Sequence, residues 1–254
     1  MIAFDFSSVD WLVVAVVVGA FLAAGTVKGV LGVGLPMIAV PLIAGVTSPA
    51  HAIALASVPV VVSNAWQAFH GGHTKDCARR FWPMLTGVVV GAVVGVQILA
   101  TFDQQLVSGI LGIVLVVFTG LQAMPRTLAL DARGERWLGP PLGLVGGVLG
   151  GMSSLFGPLL ILYLVALRLP KDVFVAAVAL LFFVGSLPLF LGLVAHGILS
   201  PPQIAHSALS SLPVIAGLVI GRRLRRHVPQ ALFEKALFVV LIVIGLNLVR
   251  RAFF

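Results

Sequence analysis

Long apolar runs, most of them about the length of one membrane-crossing helix, occupy most of this sequence. A helix needs roughly 20 consecutive apolar residues to cross the hydrocarbon of a bilayer. The chain is 60% apolar and 9% charged, whereas a soluble domain has about 25% charged residues with which to cover its surface. We therefore predict an all-α integral membrane protein. The runs lie at about 11–46, 50–69, 82–100, 105–124, 137–168, 173–195, 203–221 and 231–249.

The first and fifth runs differ from the others, because each is too long for one span and rather short for two. Glycine and proline interrupt both near the middle, in "GTVKGVLGVGLP" (25–36) and "GVLGGMSSLFGP" (147–158). Glycine permits backbone conformations that break a helix, and proline removes a backbone donor. We expect each run to form a pair of short or broken helices, which brings the number of membrane segments to about ten.

The two halves of the chain resemble each other. A shift of 122 positions places Gly25 on Gly147 and Pro36 on Pro158, and further matches follow in the same order. Matches that follow one another in the same order in both halves are typical of an internal repeat. The predicted organisation is a first transmembrane repeat (1–125), a cytoplasmic linker (126–136) and a second transmembrane repeat (137–254).

The basic residues indicate that the two halves insert in opposite orientations. The loop predicted after the third segment carries Lys75, Arg79 and Arg80, while its counterpart around 196–203 carries no charged residue. In the next loop the bias is reversed, since the second half has "RRLRRH" there (222–227). Positively charged loops stay on the cytoplasmic side, so two inverted repeats of about five segments each are expected. We attribute the net charge of +8 to this topology and expect no nucleic acid partner.

Lys28 is the basic residue that lies deep inside an apolar run. A lysine at the centre of a membrane helix costs about 2.5 to 3.5 kcal/mol. Two interpretations stay open. Either the first helix ends near Lys28 and the side chain snorkels to the cytoplasmic interface, or the side chain faces a cavity lined by the interrupted backbone around it. In the second interpretation Lys28 binds substrate.

The two interruptions together predict an anion site near the middle of the membrane. A helix that begins with proline points its unpaired N–H groups and the positive end of its dipole back at the interruption. No acidic residue is expected within the membrane to bind a cation, so a tetrahedral oxyanion is the expected ligand. The candidate binding residues are Lys28, Gly32 and Gly34 in the first half, and Ser153 and Ser154 in the second.

Other polar residues have two interpretations each. Asn64 and Gln67, with Ser186 in the corresponding segment of the second half, either complete the site or join helices by hydrogen bonds. Three histidines near predicted span ends either relay protons in a coupled transporter or lie at the membrane interface: His51, His70 and His196.

Motifs for enzymatic chemistry are absent from the sequence. It contains no Walker A motif, no dinucleotide-binding fingerprint and no H-E-x-x-H pair. We expect no enzyme, no catalytic residue, no cofactor and no metal. The expected partners are a small anion and membrane lipid. Whether the protein also forms a homodimer is left open.

The glycine-rich segment "KGVLGVGLPMIAVPLI" and its counterpart "GGVLGGMSSLFGPLLILYLV" resemble the sulfite exporter (TauE/SafE) family of membrane transporters. The resemblance extends over nearly the whole chain. It implies a multi-pass secondary carrier in the inner membrane of a prokaryote, which moves sulfur-containing anions such as sulfite or organosulfonates, commonly outward. Alternating access of one repeat against the other around a fixed site is the expected mechanism. The alternatives are an anion channel and a carrier of another small organic anion.

Overall fold

The computed structural model describes residues 11–47, 49–101, 130–153, 156–197, 199–233, 235–236 and 239. All regular secondary structure in these ranges is helical, as predicted. The segment expected at 105–124 and most of the one at 231–249 lie outside the described residues, so the number of about ten segments stays a prediction. The helices are α1 (Trp11–Leu31), α2 (Leu35–Ala44), α3 (Pro49–His70), α4 (Thr74–Thr101), α5 (Ala132–Ser153), α6 (Gly157–Ala166), α7 (Lys171–Ala195), α8 (Pro201–Leu209) and α9 (Ser211–His227).

Four helical stretches in the described part of the chain are long and apolar enough to cross a membrane. They are α1, α4, α7 and the stretch Pro201–His227, which α8 and α9 form together. Helices α8 and α9 are separated at Ser210, because Pro213 has no N–H to donate to the carbonyl of Leu209. Large apolar side chains such as Trp11 and Trp82 are exposed on these helices. Such surfaces suit contact with lipid rather than water.

The first interrupted run forms one full-length helix and one short helix, as the glycines and proline predict. Helix α1 ends at Leu31 and α2 begins at Leu35. Gly32 and Gly34 between them have φ angles of 84° and 106°, a left-handed conformation that costs glycine little and other residues more. Proline occupies the first turn of α2, where its missing N–H has no helical partner to lose.

The second interrupted run likewise forms a long helix followed by a short one. Helix α5 ends at Ser153 and α6 begins at Gly157, with proline in its first turn. Helices α2 and α6 have 10 residues each, so each is about 15 Å long, half of the roughly 30 Å that a spanning helix must cover. Helix α5 begins inside the linker expected at 126–136, and the repeat boundaries themselves stay predictions.

Two pairs of helices pack backbone against backbone through glycines. A Cβ on Gly29 would lie 2.8 Å from Cα of Gly221, which places α1 directly on α9. A Cβ on Gly91 would lie 3.0 Å from Cα of Gly147, which places α4 directly on α5. The first contact recurs one turn earlier, between Gly25 and Gly217, and the second recurs one turn later, between Gly95 and Gly151, so the partners run parallel. Small residues allow this close approach where lipid provides no hydrophobic force between helices.

Helix ends that carry basic residues gather at one end of the bundle, called here the basic end. Arg80 pairs with Glu135, which joins the starts of α4 and α5. Arg225 pairs with Asp172, which joins the end of α9 to the start of α7. The thiol of Cys77 in α4 contacts the Val173 carbonyl in α7 at 3.8 Å and links the two groups. The basic end comprises Lys75, Arg79, Arg80, Arg136, Lys171, Arg222, Arg223, Arg225 and Arg226.

The expectation that these basic residues lie in loops is wrong. Lys75, Arg79 and Arg80 belong to α4, and the stretch 222–227 belongs to α9. The reason is length, since α4 has 28 residues and therefore extends well beyond the roughly 20 that the hydrocarbon requires. The clustering of positive charge at one end remains, and with it the prediction that this end is cytoplasmic.

Candidate functional site

Lys28 lies in the last turn of α1, and its side chain is turned into the protein. The residue is only 3% exposed. Its Nζ donates to Oδ1 of Asn64 at 2.6 Å and, more weakly, to the carbonyl of Gly32 at 3.4 Å. Helix α1 therefore ends near Lys28, as the snorkelling interpretation expects, but the side chain itself is buried within the protein.

Gln67 joins the same group from the next turn of α3. Its Nε2 donates to the carbonyl of Lys28 at 2.7 Å, the same carbonyl that accepts the last helical hydrogen bond of α1 from the N–H of Gly32. The structure thus brings together four of the predicted site residues. We call Lys28, Gly32, Asn64 and Gln67 the lysine-amide cluster. Its hydrogen bonds also join α1 to α3, so the helix-joining interpretation of Asn64 and Gln67 holds as well.

The cluster has an unusual charge balance. The hydrogen bonds and ion pairs described for Lys28 go to a side-chain amide and a backbone carbonyl, and to no carboxylate within the described ranges. A buried ionised group is expensive unless an opposite charge is close to it. Lysine has three hydrogens to donate, of which these contacts use two. The cluster can therefore accept an anion that supplies both charge and acceptors.

The beginning of α2 borders the cluster. Gly34 is the residue before this helix and provides no side-chain cap for the N–H groups of the first turn. Uncapped N–H groups at a helix start favour negative charge nearby. Gly32 packs against α7, where a Cβ on the glycine would lie 3.1 Å from Cγ2 of Val175. The glycine at position 32 therefore allows both the left-handed turn and the close contact with α7.

The cluster lies toward the basic end of the bundle, and the expected position of the anion site near the middle of the membrane stays a prediction. A Cβ on Gly29 would lie 3.1 Å from the backbone N of Arg222, so the end of α1 is level with the first arginine of α9. Arg225 covers this end, donating from Nη1 to the carbonyl of Gly29 at 3.1 Å and pairing through Nε with Asp172 at 3.0 Å. The depth follows from where α1 ends, since Lys28 is in its last turn.

The described contacts of the lysine-amide cluster involve no residue of the second interruption. The side chain of Ser153, and the whole of Ser154, lie outside the described residues. Ser186 is buried and donates to the carbonyl of Phe183 in its own helix at 2.9 Å. Phe156 packs on Gly185 of α7 while Gly32 packs on Val175 of the same helix, so these two contact points lie about 15 Å apart along α7.

The three candidate relay histidines are exposed. His70 and His196 each place Nδ1 near a carbonyl of their own helix, at 3.0 Å from Trp66 and 2.8 Å from Gly192. His51 lies near the start of α3. None of the three contributes to the hydrogen bonds described for Lys28, and a proton-relay role stays a prediction.

Sequence reasoning missed Arg225 and Asp172, treating the arginines only as topology signals. A signal was present, because Gly217, Gly221 and Arg225 follow one another at intervals of four and so share one face of a helix. Gly217 and Gly221 contact α1, and Arg225 continues that face to reach the carbonyl of Gly29. Lys171 completes the group by donating to the carbonyls of Arg225, at 2.9 Å, and Val228.

The comparison with protein families agrees with these features. The family described as Sulfite exporter TauE/SafE matches residues 16–248, a range that contains both interruptions and the lysine-amide cluster. The chain belongs to the TauE/SafE family. This is a family of membrane transporters and not of enzymes, so this TauE/SafE member is a multi-pass membrane protein without an expected catalytic role. Comparison with curated proteins and with solved structures finds no match.

Proposed function

We propose that this protein is a secondary transporter that exports a small sulfur-containing oxyanion, such as sulfite or an organosulfonate, and recognises it at the lysine-amide cluster. Membership of the TauE/SafE family supports the class of transported anion. The inner membrane of a prokaryote is the proposed location. The proposed site is built from the first half of the chain, by the end of α1, the start of α2 and the amides of α3.

One observation carries the proposal: a buried lysine whose described partners are neutral acceptors. An amine in this position gains from an incoming anion, because the anion supplies the opposite charge that the protein does not. The start of α2, which no side chain caps, follows Gly32 and Gly34 directly and brings the positive end of its helix dipole toward the cluster. Together they favour a compact, multiply oxygenated anion over a neutral solute.

The helix pairing supports an inverted repeat as the framework for transport. The first helix of one proposed repeat, α1, packs on α9 of the other, and the first helix of the second repeat, α5, packs on α4 of the first. This reciprocal exchange is what a two-fold axis in the membrane plane would produce. Helix α1 ends at the basic end whereas α5 begins there, as opposite insertion requires. Alternating access would come from movement of one repeat against the other.

A flux experiment tests the proposal. The purified protein is reconstituted in liposomes loaded with unlabelled sulfite, and entry of external radiolabelled sulfite is followed. A carrier gives saturable entry and transient accumulation of label driven by counterflow. A channel, the alternative, gives rapid entry without such accumulation. Absence of protein-dependent flux for sulfite and for a panel of small organic anions would overturn the proposal.

A further inference from the structure

The side-chain amide of Gln67 is oriented by one hydrogen bond and leaves its oxygen without a partner. Nε2 must face the carbonyl of Lys28, because a carbonyl can only accept. This fixes Oε1 on the other side of the amide. Gln67 is 6% exposed, and Oε1 accepts no hydrogen bond from the residues that the structure describes. A buried acceptor without a donor is uncommon in native proteins and calls for an explanation.

The same cluster contains a second group whose hydrogen-bonding capacity is not fully used, the ammonium group of Lys28. Nζ of Lys28 has three hydrogens, and its described contacts use two of them. The cluster therefore offers one donor with positive charge and one neutral acceptor. A fully deprotonated oxyanion accepts a hydrogen bond from Nζ of Lys28, but its lone pairs then face the lone pairs of Oε1 of Gln67. An oxyanion that also carries a hydrogen accepts from Nζ and donates to Oε1.

We propose that the ligand of this site is an oxyanion with a hydrogen-bond donor of its own, either a protonated oxyanion such as hydrogen sulfite or a sulfonate with a neighbouring hydroxyl or amino group. This rests on the proposed function, since it refines which anions the cluster selects. Gln67 is then a specificity-determining residue, because its Oε1 accepts from the donor of the correct ligand and repels anions that have none.

Matched ligands separate donor recognition from charge. Methanesulfonate and hydroxymethanesulfonate have the same charge and differ by one hydroxyl group. Sulfate and monohydrogen phosphate, at mildly alkaline pH, have the same charge and tetrahedral shape, and apart from the central atom they differ by one hydrogen. Equilibrium binding of all four to the purified protein in detergent gives two affinity ratios. We expect the donor-bearing member of each pair to bind about tenfold more tightly.

The variant Gln67→Met tests whether Gln67 produces these ratios. Methionine has a similar length and removes Oε1, and although Nε2 is lost too, both members of a pair experience that loss equally. We expect the ratio of affinities to fall to about one. Gln97→Met is the matched control, because Gln97 lies exposed on α4, outside the cluster, and the same substitution there should leave the ratio unchanged.

The outcomes distinguish the inference from the function on which it rests. Equal binding within both pairs by the native protein, or a preference that survives in Gln67→Met, would overturn the inference and leave the anion site standing. Failure of all four anions, together with sulfite, to bind the native protein would overturn the anion site itself. Loss of the preference in Gln67→Met, but not in Gln97→Met, supports both the inference and the anion site.

Discussion

The hydroxyl of Ser207 in α8 donates a hydrogen bond of 2.9 Å to the carbonyl of Leu55 in α3. That carbonyl lacks its usual helical donor, because the residue four positions later is Pro59 and has no N–H. Ser207 Oγ also accepts from the backbone N of Val58 at 3.0 Å. A single buried hydroxyl from the second half thus satisfies the carbonyl that Pro59 leaves without a helical donor in the first half.

Substitution of this hydroxyl should destabilise the fold. Ser207→Ala leaves the carbonyl of the buried Leu55 without a donor, so we expect a loss of about 1 to 3 kcal/mol. Ser210→Ala is the control, since the described hydrogen bond of the Ser210 hydroxyl goes to the carbonyl of His206 in the adjoining helix α8 and does not reach α3. Thermal unfolding of both variants in detergent provides the comparison. Equal midpoints would show that the bridge between α3 and α8 contributes nothing.

The parallel contact between α4 and α5 should tolerate no side chain at Gly91. A Cβ there would lie 2.8 Å from the backbone N of Val148 and 3.0 Å from Cα of Gly147, and backbone atoms cannot rotate away. Gly91→Ala should therefore lower stability by about 1 to 3 kcal/mol. Gly19→Ala provides the control, because a Cβ at Gly19 meets nothing within 4 Å. That variant should be neutral or stabilising by up to about 1 kcal/mol. An equally stable Gly91→Ala variant would contradict the packing.

Opposite insertion of the two halves can be tested with single cysteines. The only native cysteine, Cys77, is buried, and Cys77→Ser gives a background free of thiols. Lys75→Cys and His196→Cys place an exposed thiol after equivalent segments of the two predicted repeats. In intact cells a membrane-impermeant maleimide should label His196→Cys, and should label Lys75→Cys only after permeabilisation. Labelling of both positions from the same side would refute the inverted topology.

The local features of the fold could be predicted from the sequence. Gly32, Gly34 and Pro36 identify the first interruption, because their backbone preferences act within a few residues. The sequence predicts Lys28 as a site residue because a cation in an apolar run needs a reason to be there. Asn64 and Gln67 are candidates because they are polar residues in an apolar segment. The structure brings all three together.

The long-range features could not be predicted, because they depend on which helices pack together. Ser207 and Leu55 are 152 positions apart, and no pattern in the neighbouring sequence indicates that this serine bonds to a carbonyl that a distant proline leaves without a donor. The role of Arg225 follows from the packing of α9 on α1. The depth of Lys28 depends on where α1 ends, which apolar runs define only to within a few residues.

Equilibrium binding of sulfite to Lys28→Met, compared with Lys75→Met, tests the central claim most directly. Both variants replace a lysine by the same uncharged side chain, but Lys75 is exposed at the basic end and Lys28 is buried in the cluster. Lys28→Arg, which keeps the charge, and the unfolding midpoint of each variant separate loss of binding from loss of fold. We predict that Lys28→Met weakens binding roughly 10- to 100-fold, while Lys75→Met binds as the native protein does. A folded Lys28→Met variant with native affinity for sulfite would contradict the account.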